Sequence, residues 1–242
     1  MLYVDIDMPE GALLEPLSSF QDEVRFSADE ASLVLDGDVI TGWKDVTGQK
    51  IARPAKPNTG NARLVAQGGQ MAVALQDGVN CGFALEDVTL TQPVFSMAAL
   101  YSAPTGRAGT LLTLNPRDGR NYLFLKEIGG EVALNYRDGD RSVSAKTKQQ
   151  GLNLVVASVN GSAMRLAVNG GRPGATQAEA PLIPGVHDLF IGCRSDRSGI
   201  TKTLGEANLI EIRMWPDCDV FEDEKLLESL TRHWQQVAAH GV

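Results

Sequence analysis

Residues 152–171 read LNLVVASVNGSAMRLAVNGG, and this stretch decides the fold. Met164, Leu166 and Val168 alternate with Arg165, Ala167 and Asn169, a period of two that sets one apolar strand face against a core. The preceding LNLVVASV is an apolar run of strand length. Asn160-Gly161 between them predicts a tight hairpin, because Asn and Gly best tolerate the positive φ that a type I′ turn requires at both central residues.

The same pattern extends outward in both directions. Met71, Val73 and Leu75 alternate with small residues, and Ile210, Ile212 and Met214 alternate with Glu211 and Arg213. Asp36-Gly37, Gly129-Gly130, Asp138-Gly139 and Asn169-Gly170 repeat the turn signal, at the roughly 8–12-residue spacing of an all-β chain. Some five hairpin turns and ten or more short strands predict a jelly-roll β-sandwich of two antiparallel sheets, not a βαβ fold. One helix is expected, at about 220–238. Asp219 is its expected cap, Glu222, Asp223 and Glu224 suit its positive end, and Leu226, Leu230, Trp234 and Val237 form one apolar stripe that docks on the sandwich. Residues 1–30 differ in composition and are read as an N-terminal arm, an edge strand or a strand of the main sheet. The sandwich itself is expected over 31–242.

Composition narrows the function. The 242 residues carry 22 basic and 30 acidic groups, a net charge of −8, which offers no global field for nucleic acid or an anionic membrane. No stretch reaches 18 apolar residues, so no membrane-inserting helix is expected. Asp5 and Asp7 stand where a signal peptide would be basic and then apolar. Cys81, Cys193 and Cys218 are odd in number and lack a C-x-x-C spacing, so buried free thiols are expected rather than a disulfide framework or zinc site.

Four segments resemble one family. VITGWKDVTGQ (39–49) is similar to the Trp-x-Asp-x-Ser/Thr-Gly opening of concanavalin-like, laminin-G-like jelly rolls, and 152–171 to their strand, hairpin and "VNG" strand end. HDLFIGCRSD (187–196) resembles their "LxIG" strand. LGEANLIEIRMWPDCDVFEDEKLLESLTRHW (204–234) resembles the closing "G-x-I-x-E-I-x-x-W" strand and terminal helix. The resemblance spans about 31–236 and implies the fold; that fold hosts lectins, glycan hydrolases and adhesion modules alike. Asp45 reads as an Asx-turn residue, and Glu211 as the partner of an arginine on a neighbouring strand.

Catalytic patterns are missing. The E-x-D-x-(x)-E strand of concanavalin-like glycosidases is absent, since no Glu is followed two residues later by Asp. There is no G-x-S-x-G elbow, no phosphate loop, no H-E-x-x-H and no EF-hand loop. His187, His233 and His240 have no local Ser or Cys partner. No catalytic residue is assigned and no cofactor is expected; for Ca²⁺, the loop pair Asp138 and Asp140 is the place to look.

The loops carry the remaining signal. NPRDGRNY (115–122) and NYRDGDRS (135–142) both place Arg-Asp-Gly in a turn, and GCRSDRSGITK (192–202) adds a third basic segment. The candidate ligand-binding residues are Arg117, Asp118, Asn121, Tyr122, Arg137, Asp138, Asp140, Arg141, Arg194, Asp196 and Arg197. Arg forks suit carboxylates, Asp and Asn accept sugar hydroxyls, and Tyr offers a stacking face. A locally positive patch for a polar or anionic ligand is expected if these loops share one end of the sandwich.

The expectation is a non-catalytic lectin-like recognition or structural module, with a glycan hydrolase or lyase, or a non-viral carbohydrate-binding module, as the alternatives. A fold that commonly works outside cells, without secretion signal or disulfides, fits a virion component such as a phage head-decoration, spike, fibre or tail protein. Such a protein is made in the host cytoplasm and released by lysis; the alternative location is the cytoplasm itself. The expected partners are capsid or tail subunits, within an oligomeric assembly, or cell-surface polysaccharide, with residues 1–30 as a possible anchor.

Overall fold

In the computed structural model, which describes residues 23–67, 69–148, 151–196 and 201–240, antiparallel pairing accounts for most of the chain. The strands are β1 (Val24–Ser27), β2 (Leu33–Asp36), β3 (Val39–Lys44), β4 (Ile51–Pro54), β5 (Arg63–Gln67) and β6 (Gln70–Leu75). Then come β7 (Phe83–Leu90), β8 (Val94–Ser102), β9 (Gly109–Pro116), β10 (Leu123–Ile128), β11 (Glu131–Tyr136) and β12 (Ser142–Lys146). The last are β13 (Asn153–Asn160), β14 (Ala163–Val168), β15 (Gly174–Gln177), β16 (Gly185–Ile191) and β17 (Ala207–Pro216), followed by helix α1 (Glu224–His240). They form two sheets, the expected sandwich. One runs β15-β14-β13-β8-β17-β6-β5 and the other β12-β11-β10-β9-β16-β7-β4-β3-β2.

Strand β1 completes the first sheet. β8 pairs along one edge of β17, while β6 takes Ala207–Leu209 and β1 takes Glu211–Met214 on the other. Residues 24–27, within the segment read as an arm, an edge strand or a strand of the main sheet, are therefore a sheet strand; residues 1–22 lie outside the described residues. Val24 and Phe26 face the core from β1. Phe26 packs on Trp43 of β3 at 5.8 Å between ring centroids, and Trp43 meets Phe83 of β7 at 5.7 Å. The buried Trp43 indole donates to the Ser27 carbonyl at 2.8 Å, so this aromatic cluster joins the two sheets through a hydrogen bond as well as by area.

Asp45, two residues on, is a turn residue. Its carboxylate accepts from the Lys50 N–H at 2.8 Å and the Thr47 hydroxyl at 2.5 Å, while Gly48 takes φ +73°. The turns elsewhere refine the expected positions. Gly129 and Gly130 (φ +65° and +75°) and Asn169 and Gly170 (+54° and +69°) are two-residue positive-φ turns. At 160–161 the loop lies one residue later than predicted. Asn160 still pairs with Ala163, and Gly161 alone turns, at φ +59°.

The apolar run of β13 is buried on both faces. Val155, Ala157 and Val159 face the inter-sheet core, and Leu154 and Val156 face α1. Leu226, Leu230 and Trp234 of the helix close over them, with Val237 partly buried behind, as the stripe predicts. Capping differs from expectation. Asp219 caps a 3-10 turn at Val220–Glu222, and Asp223 begins α1 by accepting from the Leu226 N–H at 2.9 Å. The other Asp219 oxygen is held by Arg165 at 2.7 Å, and helix α1 starts at Glu224, later than the acidic run suggests. The three cysteines are free, Cys81 and Cys193 buried and Cys218 partly so, and burial raises each thiol pKa, that of Cys218 to about 11.

Glu211 answers the expectation of an inter-strand pair. On the outer face of β17, beneath α1, its carboxylate bonds Arg25 of β1 at 2.7 Å and Arg213 at 2.6 Å, with His233 of the helix at 3.5 Å. Burial alone would raise its pKa, but the His233 hydrogen bond and the charges of Arg213 and Arg25 outweigh it and hold the carboxyl at about 2. Since the folded pKa lies below the ordinary 4.5, the stabilisation is complete above that value and is lost as pH falls through about 2. Glu211→Ala is expected to cost about 3–5 kcal/mol at neutral pH, because two arginines lose their buried partner. Denaturant unfolding checks both points: the difference between wild type and variant shrinks between pH 4.5 and 2.

Candidate functional site

Antiparallel pairing brings particular loops together. The β9–β10 loop (117–122), the β11–β12 loop (137–141) and the start of β16 all lie at one end of the nine-stranded sheet, since Leu123 pairs with both Leu114 and Tyr136, and His187 pairs with Pro116. The Asp138 N–H donates to Asn121 Oδ1 at 3.1 Å, Arg137 donates to the Arg120 carbonyl at 3.3 Å, and its guanidinium lies 5.8 Å from the Tyr122 ring centroid. Two of the three expected segments therefore form one surface.

The third does not join them. Residues 192–196 leave β16 at its opposite end. Arg194 lies over the Phe124 ring at 3.8 Å and donates to Thr110 Oγ1 at 3.2 Å, on the outer face of the sheet, and Asp196 accepts from the Lys56 N–H at 2.7 Å. Arg197 falls outside the described residues. The connection replacing this segment is 178–184, which crosses from β15 in one sheet to β16 in the other. Ala178 and Leu182 N–H groups bond the Ser162 and Gly161 carbonyls at 2.7 and 2.9 Å, and the Leu182 side chain enters the core. Ile183 beside it is left 70% exposed between Pro181 and Pro184, whose fixed φ stiffens the segment.

Between this crossover and the two loops lies a groove of two adjoining cavities. The inner one, about 210 Å³, has an apolar wall that includes Leu114, Leu123, Pro181 and Ile183, and polar groups from Asp118, Arg120, Asn121 and His187. The outer one, about 110 Å³, is lined by Asp138, Gly139, Arg141 and Glu179 among others. Asn121, Tyr136 and Ala180 line both. Tyr136 is only 6% exposed, and its hydroxyl has no hydrogen-bond partner among the described residues; burial raises its pKa.

His187 sits at the inner end, 2% exposed. Its Nδ1 lies 3.1 Å from the Gly185 carbonyl oxygen, which can only accept, so Nδ1 carries the proton and Nε2 the lone pair. Burial lowers its pKa, against the raising effects of the Gly185 carbonyl and Asp188. The site thus holds a neutral acceptor imidazole, an unpaired phenol and a rim of mixed donors and acceptors along an apolar wall.

The expected positive patch does not form, because the arginines are answered locally. Arg117 reaches Asp87 at 2.6 Å and Asp188 at 2.8 Å, and Arg137 lies 3.4 Å from Asp138. Arg120 and Arg141 have no acidic partner among the described residues, but Asp118 and Glu179 line the same groove. Asp138 and Asp140 do not belong to any group of three or more His, Cys, Asp or Glu placed to hold a metal among the described residues. The loops at 117–122 and 137–141 are legible in the sequence as site segments, whereas Tyr136, His187 and the 178–184 crossover are not. LIPGVH (182–187) held the one available signal, an apolar pair set between prolines just before a strand.

Comparison with known proteins places the fold. No family model matches the chain, and no curated protein matches it by sequence. Among solved structures, domain 4 of AbnA, a GH43 extracellular arabinanase from Geobacillus stearothermophilus in complex with arabinotriose, is 15% identical with a TM-score of 0.60, over 89% of this chain and 97% of that one. Trypanosoma rangeli sialidase in complex with sialic acid is 13% identical with a TM-score of 0.57, over 89% of this chain. The chain spans about a third of that sialidase, 33% of its length. The receptor-binding domain of botulinum neurotoxin C/D mosaic serotype is 9% identical with a TM-score of 0.55, over 88% of this chain and 50% of that one. The neighbours are lectin-like β-sandwich folds, drawn from glycosidases and from a binding domain; at these identities the likeness is one of fold.

At pH 7, ¹⁵N NMR is expected to show His187 as the neutral Nδ1–H tautomer. It should titrate below the ordinary histidine value of about 6.5. Because the folded pKa is lowered, the unfolded chain takes the proton first, so wild-type stability falls as pH drops below that value. His187→Gln lacks this increment of acid sensitivity.

Proposed function

We propose that this chain is a non-catalytic saccharide-recognition module whose site is the groove at the sandwich end. The observation that carries the reading is the pairing of an apolar wall with a mixed polar rim in two adjoining cavities. A sugar ring presents a C–H face and a ring of hydroxyls that both donate and accept, and this groove offers a counterpart to each. Its cavities together stand at the lower end of the ~300–1,000 Å³ typical of small-ligand sites, a size for a short segment of glycan. The missing E-x-D-x-(x)-E pattern supports recognition over hydrolysis. The arabinotriose complex of the arabinanase domain, matched over nearly its whole length, shows a sandwich of this kind beside a sugar. The proposed setting is a virion surface that meets host polysaccharide or neighbouring capsid or tail subunits; it rests on the sequence resemblance alone.

Ala180 lines both cavities and is exposed, so a large side chain there fills the groove without entering the core. Ala180→Trp is expected to leave the unfolding midpoint unchanged and to abolish retention on an array of neutral and acidic oligosaccharides that holds the wild type. Equal retention of the two proteins would move the site elsewhere.

A further inference from the structure

Resting on that reading, we infer that the ligand is an uncharged saccharide lying across both cavities and read by the Asn121 amide and the Tyr136 hydroxyl. Charge comes first. Of the four arginines in the two loops, Arg117 and Arg137 are tied to carboxylates. The two with no acidic partner among the described residues, Arg120 and Arg141, share the groove with Asp118 and Glu179, Asp138 being the partner of Arg137. A ligand carboxylate would meet at least as many acidic as basic groups, in a protein of net charge −8. Uncharged hydroxyls can donate to the two open carboxylates and accept from the two guanidinium groups, so this rim satisfies a neutral sugar and gives an acidic one no net attraction.

Position comes second. Asn121 and Tyr136 are the polar residues common to both cavities. Asn121 is held in place because its Oδ1 accepts the Asp138 N–H at 3.1 Å, which occupies the acceptor end and leaves the amide NH₂ for a ligand. The Tyr136 hydroxyl is buried with no hydrogen-bond partner among the described residues, an arrangement that costs folding free energy. A phenylalanine would fill the same space. Its hydroxyl is explained by a ligand hydrogen bond at the join between the cavities.

The test uses the whole chain and matched probes, galactotriose and trigalacturonate, which differ in charge at C6, with arabinotriose and maltotriose as further neutral probes. At least one neutral trisaccharide is expected to bind by calorimetry, with affinity changing less than about twofold between roughly 0.05 and 0.5 M NaCl. Trigalacturonate is expected to bind about tenfold more weakly or not at all. Tyr136→Phe should weaken the neutral ligand about five- to tenfold while its unfolding midpoint stays equal or rises. Asn121→Asp keeps the acceptor for Asp138 and removes the NH₂ donor, and should weaken binding comparably in a folded protein. Tighter, salt-sensitive binding of trigalacturonate would overturn the neutral-ligand assignment. Unchanged affinity in both variants would overturn the roles of Asn121 and Tyr136. Binding of no saccharide by the wild type would overturn the recognition reading itself and this inference with it.

Discussion

The eight-stranded sheet has to be dry on both faces, and the rest of the molecule follows from how that is met. Its inner face packs on the nine-stranded sheet through residues such as Val155, Met97, Ile212 and Leu209. Its outer face carries Leu154, Val156, Leu100 and Ile210, which no third sheet covers, so the C-terminal helix must lie across them. The central strands β13, β8 and β17 are thus apolar on two sides, which is why β13 reads as a continuous run while β14, nearer the edge, alternates. Polar groups trapped under the helix have to be satisfied there. Glu211, Arg25, Arg213 and His233 do this as one network that ties β1, β17 and α1 together.

That arrangement leaves little room for chemistry on the strands. Inward side chains are committed to the core, and much of one outer face to the helix. What remains is the sandwich end, where strands stop and backbone must turn. Antiparallel order then fixes which loops meet. β9–β10 and β11–β12 emerge side by side because β10 lies between β9 and β11, and the β15–β16 crossover closes the third side because those strands belong to different sheets. The groove is a product of topology more than of any motif.

Charge at the groove follows from neighbours that are distant in sequence. Arg117 is held by Asp188, 71 residues away, and by Asp87, 30 residues away. Those contacts anchor the 117–122 loop to β16 and the bend within β7, and they remove from the rim the charge that an anionic ligand would have used. The arginines of Arg-Asp-Gly turns are structural fasteners here as much as surface charge.

The sequence by itself determined the class of fold and much of its local detail. Period-two alternation at 164–168, Gly-Gly and Asn-Gly turns, the Asp45 turn and the helix stripe are set by interactions within or beside one element, and such interactions leave a local pattern. The alternation at 210–214 misled: a bulge between Leu209 and Glu211 turns Ile210 to the outer face while Ile212 and Met214 stay inside, and β17 is buried on both sides. It also pointed to the loops at 117–122 and 137–141. Only the tertiary structure decided that these two meet while 192–196 goes to the other end, because strand order in a sheet is not encoded in any single strand. Only it showed Tyr136 and His187 at the groove, since an inward-facing Tyr or His at a strand end looks like any core residue until the neighbouring loop is seen to leave a space beside it. The start of α1 was also decided there: two aspartates four residues apart could each cap it, and the Arg165 contact to Asp219 separates their roles.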